Sequence, residues 1–274
     1  MRVRRIAVLI DGGFFIKRLP RLLETQFRTT PQQVAETARL LCKRHVRRLT
    51  RAGDGENTED FWLDHVYRLF YYDALPYRGL CHHPVLNRRI DFSKTETATF
   101  RTNLFSELRR KRKFALRLGH VARVDEWRLS HRLTRQALSM GRWLERFDAA
   151  LREGNGAALS ALSERDQSEL HQLVSVWQEA KDDGVSLGLR QKGVDMRIGL
   201  DIASMTLKRQ VDTIILVTGD SDFVPAAKLA RREGVEFLLD PLWQRISDEL
   251  MEHVDGVISV FAKPSSEEDA LIAA

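Results

Sequence analysis

The sequence predicts an α/β protein with a mostly parallel central sheet, and three observations carry that expectation. Short apolar runs recur along the chain, and amphipathic helical stretches separate them. Several of the runs are continuously apolar rather than alternating, as strands covered on both faces must be. With 274 residues, 43% hydrophobic and 30% charged, the chain has the length and composition of an ordinary soluble globular protein with a sizeable core.

Taken in order, "RIAVLID" (5–11), "RLFYYD" (68–73), "FALRLG" (114–119), "TIILVTGD" (213–220), "VEFLLD" (235–240) and "GVISVF" (256–261) read as strands. Between the first two, "TTPQQVAETARLLCKRHVRRL" reads as a helix. Thr30 is its N-cap, Pro31 its first helical residue and Gln33 the return half of a capping box, with Val34, Ala38, Leu41 and Leu49 on one face. "DFVPAAKLARREG" starts a helix near Asp222 and stops it at Gly234. Residues 123–188 interrupt the alternation. "HRLTRQALSMGRWLERFDAALREG" keeps Leu133, Ala137, Leu144, Phe147 and Leu151 on one helical stripe until "GNG" at 154–156. Ser163 and Asp166 then cap a further helix carrying Leu170, Val174 and Trp177. The expectation is one domain over 1–262, a helical insertion at 123–188, and a disordered tail over 263–274. The insertion either covers the functional face of the sheet or packs its stripe on the core.

Two cysteines, Cys42 and Cys81, cannot build a disulfide framework or a four-ligand zinc site, which points to a reducing compartment. No apolar stretch reaches 18 residues, and the apolar part of "MRVRRIAVLID" is too short for a signal peptide. The expectation is a cytoplasmic protein without membrane partners; its oligomeric state, monomer or homodimer, stays open.

The net charge of +6 is modest, but its distribution is uneven. "RTNLFSELRRKRK" (101–113) holds six basic residues against one acid, Glu107, and "KRHVRRLTR" (43–51) is a second cluster. These are either solvated helix faces or contacts to a polyanion. In the second reading, Arg109, Arg110, Lys111, Arg112 and Lys113 lead into a strand, reach the rim of the sheet and bind nucleic acid; Arg190 and Lys192 are further nucleic-acid-binding candidates.

The acids are the sharper signal. Asp11, Asp73, Asp220 and Asp240 each fall at the end of a strand, and parallel strands deliver their ends to one rim, where ligands bind at the topological switch point. Asp222 opens the helix after Asp220, where its charge also suits the helix dipole. In "RQKGVDMRIGLDIAS" (190–204), Asp195 falls in the first helical turn. Asp201 is about 600° further round, so the two do not face one centre, and Asp201 reads as a supporting or structural residue. Asp73 and Ser221 are further supporting candidates. Crowded carboxylates need a shared proton or a cation. With no histidine or cysteine among them, oxygen-only ligands favour Mg²⁺ or Mn²⁺, ions that bind phosphates and activate water. "CHH" (81–83) lacks a second ligand cluster and reads as a loop. "SKTETATFR" (93–101) reads as a polar loop able to touch phosphate. Trp127, Trp143 and Trp177 read as core of the insertion's helices.

In combination, "VLIDGGFF", "RLFYYDALP", "IDFSKTETATFR", "RQKGVDMRIGLDIAS" and "ILVTGDSDFVPAAKLARREG" resemble the NYN domain of the LabA/DUF88 type, one of the PIN-like nucleases, over residues 3–122 and 189–262. The resemblance implies a PIN-like Rossmannoid sheet and a metal-dependent endoribonuclease acting on single-stranded RNA. It also implies catalytic, metal-holding acids at Asp11, Asp195, Asp220 and Asp222. The chain departs from the family at Gly13, where many NYN domains have Asn. Two rivals remain open. A haloacid-dehalogenase-like phosphatase wants a second acid where Gly13 stands, and a non-catalytic RNA-binding module would gain nothing from a pit of like charges.

Overall fold

The computed structural model describes residues 3–50, 61–152, 163–178 and 184–264. Along the chain these form β1 (Ile6–Asp11), α1 (Gly12–Arg18), α2 (Pro31–Thr50), β2 (Val66–Leu75), β3 (Leu80–His83), β4 (Arg88–Asp91), α3 (Glu96–Arg109), β5 (Phe114–Leu129), α4 (His131–Ser139) and α5 (Gly141–Arg152). There follow α6 (Glu164–Gln178), β6 (Val185–Lys192), α7 (Val194–Leu207), β7 (Thr213–Val217), α8 (Val224–Arg232), β8 (Glu236–Asp240), α9 (Asp248–Glu252) and β9 (Gly256–Val257). Contacts group the chain into two units, one of residues 1–77, 93–121 and 191–274, the other of 78–92 and 122–190.

Seven strands join in the order β6-β5-β2-β1-β7-β8-β9. The pairs from β5 through β2, β1, β7 and β8 to β9 are parallel. β6 runs against β5: Ser130 N donates to Gly184 O at one end, and Gly119 lies against Lys192 O at the other. The expected mostly parallel sheet is therefore present, with an antiparallel strand added at its edge.

The continuously apolar runs are explained by a three-layer arrangement. Ile6, Val8 and Ile10 of β1 pack with Val34, Ala38 and Leu41 of α2 and with Leu104 and Leu108 of α3. Ala7 and Leu9, pointing the other way, pack with Ile198 and Ile202 of α7 and with Ala227 and Ala230 of α8. All five of these β1 residues are fully buried, so truncating Leu9 to alanine would cost about 2–5 kcal/mol. The capping box of α2 forms as expected: Gln33 N donates to Thr30 Oγ1 at 3.2 Å, and Thr30 N to Gln33 Oε1 at 2.9 Å. So does the cap of α6, where Asp166 N donates to Ser163 Oγ at 3.2 Å.

Several local expectations are corrected. Residues 81–83 are strand, paired antiparallel in the β3–β4 hairpin. β5 runs on to Leu129, so Trp127 is a strand residue packed on His83 and Phe92. The stripe over 131–152 is two helices that divide at Met140. Within the second unit Leu133, Val176 and Val185 are buried together, whereas Leu144 and Val174 are exposed. β9 spans only two residues of the expected 256–261. Thr95 caps α3 and Arg101 of that helix pairs with Asp73, so 93–101 is not a free polar loop. The "GNG" break and residues 265–274 lie outside the described residues.

Asp240 is also corrected. It is fully buried, accepting from His45 Nε2 at 2.7 Å and from Leu242 N and Ser259 Oγ, both at 2.8 Å. Its bonds lie within the protein, where it ties α2 and two loops to β8. It does not face a ligand.

Candidate active site

From β1 the chain builds one side of the sheet through β2 and β5 and the other through β7, β8 and β9, so the switch point falls between β1 and β7. In open sheets of this kind the ligand crevice lies there, outside the carboxyl ends of the strands. Asp11 is the last residue of β1 and caps α1, its Oδ1 accepting from Phe14 N at 3.1 Å. The cap requires α1 to start hard against β2. A Cβ on Gly12 would stand 2.5 Å from Tyr71 Cε1 and 2.7 Å from Tyr72 O, so only glycine fits.

From the other side of the switch point comes the loop after β7. The buried Thr218 hydroxyl lies 3.5 Å from Asp11 Oδ2 and accepts from Asp220 N at 3.3 Å. Asp220 Oδ1 in turn accepts from Asp222 N at 3.0 Å. A hydrogen-bonded run thus links Asp11, Thr218, Asp220 and Asp222. Asp220 and Asp222 are exposed, as is Ser221 between them.

Asp195 arrives by a third route. A Cβ on Gly119 would stand 2.3 Å from Lys192 O, so the absence of a side chain lets the end of β6 close on β5. Gly193, at φ +75°, then turns the chain into α7, with Asp195 in the first turn. The Asp11 carboxyl feels the result. Its pKa is pushed up to about 6, chiefly by burial; the Phe14 hydrogen bond opposes the rise, and the charges of Asp195 and Asp73 add to it.

Asp73 lies two residues inside β2 rather than at its end. It is buried, pairs with Arg101 and accepts from Ala74 N at 2.8 Å. Burial raises its pKa even so, with Arg101 opposing the rise. Gln191 Nε2 reaches Asp73 Oδ1 at 3.5 Å, and a Cβ at position 13 would find Gln191 Oε1 at 3.6 Å and Asp11 Oδ1 at 3.4 Å. Gln191 and Thr218 are site residues that sequence reasoning missed. Gln191 becomes visible only once β6 is recognised as a strand.

The remaining candidates separate. Asp201 Oδ2 accepts from Tyr72 O–H at 2.9 Å and Arg117 Nε at 2.8 Å, and so serves to hold α7 on the sheet. Arg190 and Lys192 are exposed on β6. Residues 109–113 do not reach the rim. They lead into β5, whose Phe114 pairs with Leu69 near the start of β2, so they occupy the amino edge of the sheet, opposite the acids. There Arg110 pairs with Glu107 and Lys111 with Glu36, while Lys113 Nζ donates to Val66 O at 3.0 Å. Arg109 and Arg112 flank them, both exposed.

The crevice is a cavity of about 540 Å³ whose lining includes Asp11, Thr218, Asp220 and Ser221 together with Lys17 and Arg21. Among the described residues, no three carboxylate, imidazole or thiol groups converge on one point as they stand. In kind, however, the donors suit a hard cation: all are oxygens, and the Asp11 carboxyl, raised chiefly by burial and further by the charges of Asp195 and Asp73, would be relieved by one.

These features define an α/β protein with an acidic crevice at the switch point of its sheet, consistent with a PIN-like domain. Residues 150–262 match the family model of the NYN domain, a PIN-like nuclease family. The match takes in Asp195, Asp220 and Asp222 and begins after β1, so Asp11 joins them through the sheet. It also takes in part of the 123–188 segment expected to lie outside the shared core. No curated protein sequence matches the chain. The crystal structure of a protein of unknown function from Vibrio parahaemolyticus is similar at 13% identity, over 96% of this chain and 99% of that one, with a TM-score of 0.38, too low to bear on fold or function. Among the described residues no helix is long and apolar enough to cross a membrane.

Proposed function

We propose that the protein is a divalent-metal-dependent ribonuclease that hydrolyses phosphodiester bonds of single-stranded RNA in the crevice between β1 and β7. The observation that carries this reading is the hydrogen-bonded run from Asp11 through Thr218 to Asp220 and Asp222, beside the charges of Asp195 and Asp73. Asp11, Asp195, Asp220 and Asp222 would hold Mg²⁺ or Mn²⁺, with Asp73, Gln191 and Thr218 orienting the oxygens that do so. When bound, such an ion neutralises charge developing on the phosphoryl oxygens and makes water a better nucleophile.

The chain's own residues define the rest. Thr218 Oγ1 can donate to Asp11 Oδ2 while accepting from Asp220 N, which fixes the orientation of the Asp11 carboxyl. With a pKa of about 6 in the absence of a cation, Asp11 is ionised in most molecules at neutral pH and so is able to accept one. Asp73, held by Arg101, keeps negative charge behind Asp11 without competing for solvent.

The test is cleavage of end-labelled single-stranded RNA by the purified protein with Mn²⁺, with Mg²⁺ and with chelator, beside DNA of the same sequence and a small phosphate monoester. Metal-dependent loss of full-length RNA is expected. Turnover of the monoester alone would replace this reading with a phosphatase, and binding without cleavage would replace it with a non-catalytic RNA-binding module.

A further inference from the structure

The cavity beside Asp11 and Asp220 has a wall of opposite charge. Phe14, Lys17, Arg18 and Arg21 all line it, and their spacing of i, i+3, i+4 and i+7 puts them on one face of α1 and the single 3₁₀ turn that continues it. Arg18 is the buried member. Its Nε and Nη2 donate to Leu242 O at 3.2 and 2.8 Å, which pins this face to the loop after β8. Lys17 and Arg21 are exposed, and neither has an ion-pair partner among the described residues. That contrasts with Arg110 and Lys111 at the other edge of the sheet, whose charges are each met by a glutamate.

We infer that Lys17 and Arg21 form the phosphate track of the substrate strand, holding the backbone phosphates next to the bond that is cut. This rests on the nuclease reading and adds to it the direction in which the strand leaves the acids: along α1, and not toward the basic segment at 109–113. The chemistry follows from the cavity. A polyanion drawn into a crevice lined by carboxylates is repelled unless cations stand beside them, and Lys17 and Arg21 are the exposed cations that line the cavity with Asp11. Four helical residues rise about 6 Å, which is on the order of two axial nucleotide steps of ~3.4 Å, so the two side chains suit phosphates two steps apart. The ring of Phe14, one turn before Lys17 on the same face, suits a base stacked at that end of the track.

The test reads binding, not cleavage. Fluorescein-labelled oligouridylate is titrated in chelator over a range of salt, with the wild-type protein, the Lys17→Gln/Arg21→Gln double variant, the charge-keeping Lys17→Arg/Arg21→Lys variant and Arg109→Gln/Arg110→Gln. The double variant is expected to bind more weakly, with a log–log salt slope lower by about 1.4, since each single-strand phosphate contact contributes ~0.7. The charge-keeping and Arg109/Arg110 variants should keep the wild-type slope. An unchanged slope in the double variant, with metal-dependent cleavage intact in the wild type, would overturn the track alone. No binding by the wild-type protein even at low salt would overturn the track and the nuclease reading together.

Discussion

At the carboxyl edge of the sheet, burial first, with the charges of Asp195 and Asp73 adding to it, raises the Asp11 pKa to about 6. At the amino edge, the basic residues that lead into β5 are tied off: Arg110 to Glu107, Lys111 to Glu36 and Lys113 to the Val66 carbonyl. Both clusters are conspicuous in the sequence, but they differ in how their charge is resolved. In the basic one Arg110 and Lys111 are each met by a glutamate and Lys113 by a carbonyl. In the acidic one Asp73 is met by Arg101, yet burial and the neighbouring carboxylates still hold the Asp11 pKa up, a cost that a bound cation would relieve.

The comparison breaks most decisively at Asp220. Asp220→Asn keeps an Oδ1 to accept from Asp222 N, so the loop should hold its shape while one ligand charge is lost. RNA cleavage is expected to fall by at least about 100-fold, since metal contacts supply several kcal/mol of transition-state stabilisation, with an unchanged circular dichroism spectrum.

Asp11→Asn sharpens the same edge through stability. A carboxyl whose folded pKa is about 6, against 3.8 ordinarily, binds its proton more tightly when folded. Its burial is therefore free of penalty below about pH 4. The penalty grows as pH rises through 4 to 6 and is constant above, reaching up to about 3 kcal/mol. In chelator, Asp11→Asn should be more stable than the wild type at pH 8 and lose that advantage at pH 4, as read by denaturant midpoints. An advantage that does not change with pH would mean that Asp11 carries no such strain.

Gly12→Ala tests the placement of α1 that gives Asp11 its cap. The added methyl would collide with the Tyr71 ring and the Tyr72 carbonyl, and a cost of about 1–3 kcal/mol in thermal unfolding is expected. At the amino edge the expected effects are smallest. Arg109→Gln/Arg110→Gln should change stability by no more than about 0.5 kcal/mol, because exposed pairs contribute little, and should leave cleavage as it was.

Much of this was legible in the sequence because strand ends and helix caps leave local signatures. The runs at 5–11, 68–73 and 235–240 are strands nearly to the residue, and Thr30 with Gln33 caps α2 as read. Asp11 and Asp195, far apart in the chain, were expected to share a rim, and the Asp195 charge adds to the rise that burial gives the Asp11 pKa. What escaped depends on long-range pairing. β6 carries the polar residues Arg190, Gln191 and Lys192 and shows no apolar run, so neither the strand nor Gln191's reach to Asp73 could be seen. Asp240 looked like its neighbours at strand ends, but a histidine 195 residues away buries and satisfies it. The segment at 109–113 was misplaced for a topological reason: residues that precede a parallel strand sit at the edge opposite those that follow one.

The most direct test of the central claim is Mn²⁺ binding measured by calorimetry on the wild type, Asp11→Asn and Arg109→Gln/Arg110→Gln. The account expects the wild type and the basic variant to bind Mn²⁺ alike and Asp11→Asn to bind at least about tenfold more weakly, a loss of ~1.4 kcal/mol. Equal affinity in all three proteins would contradict it, because Asp11 at the carboxyl edge would then not belong to a cation site.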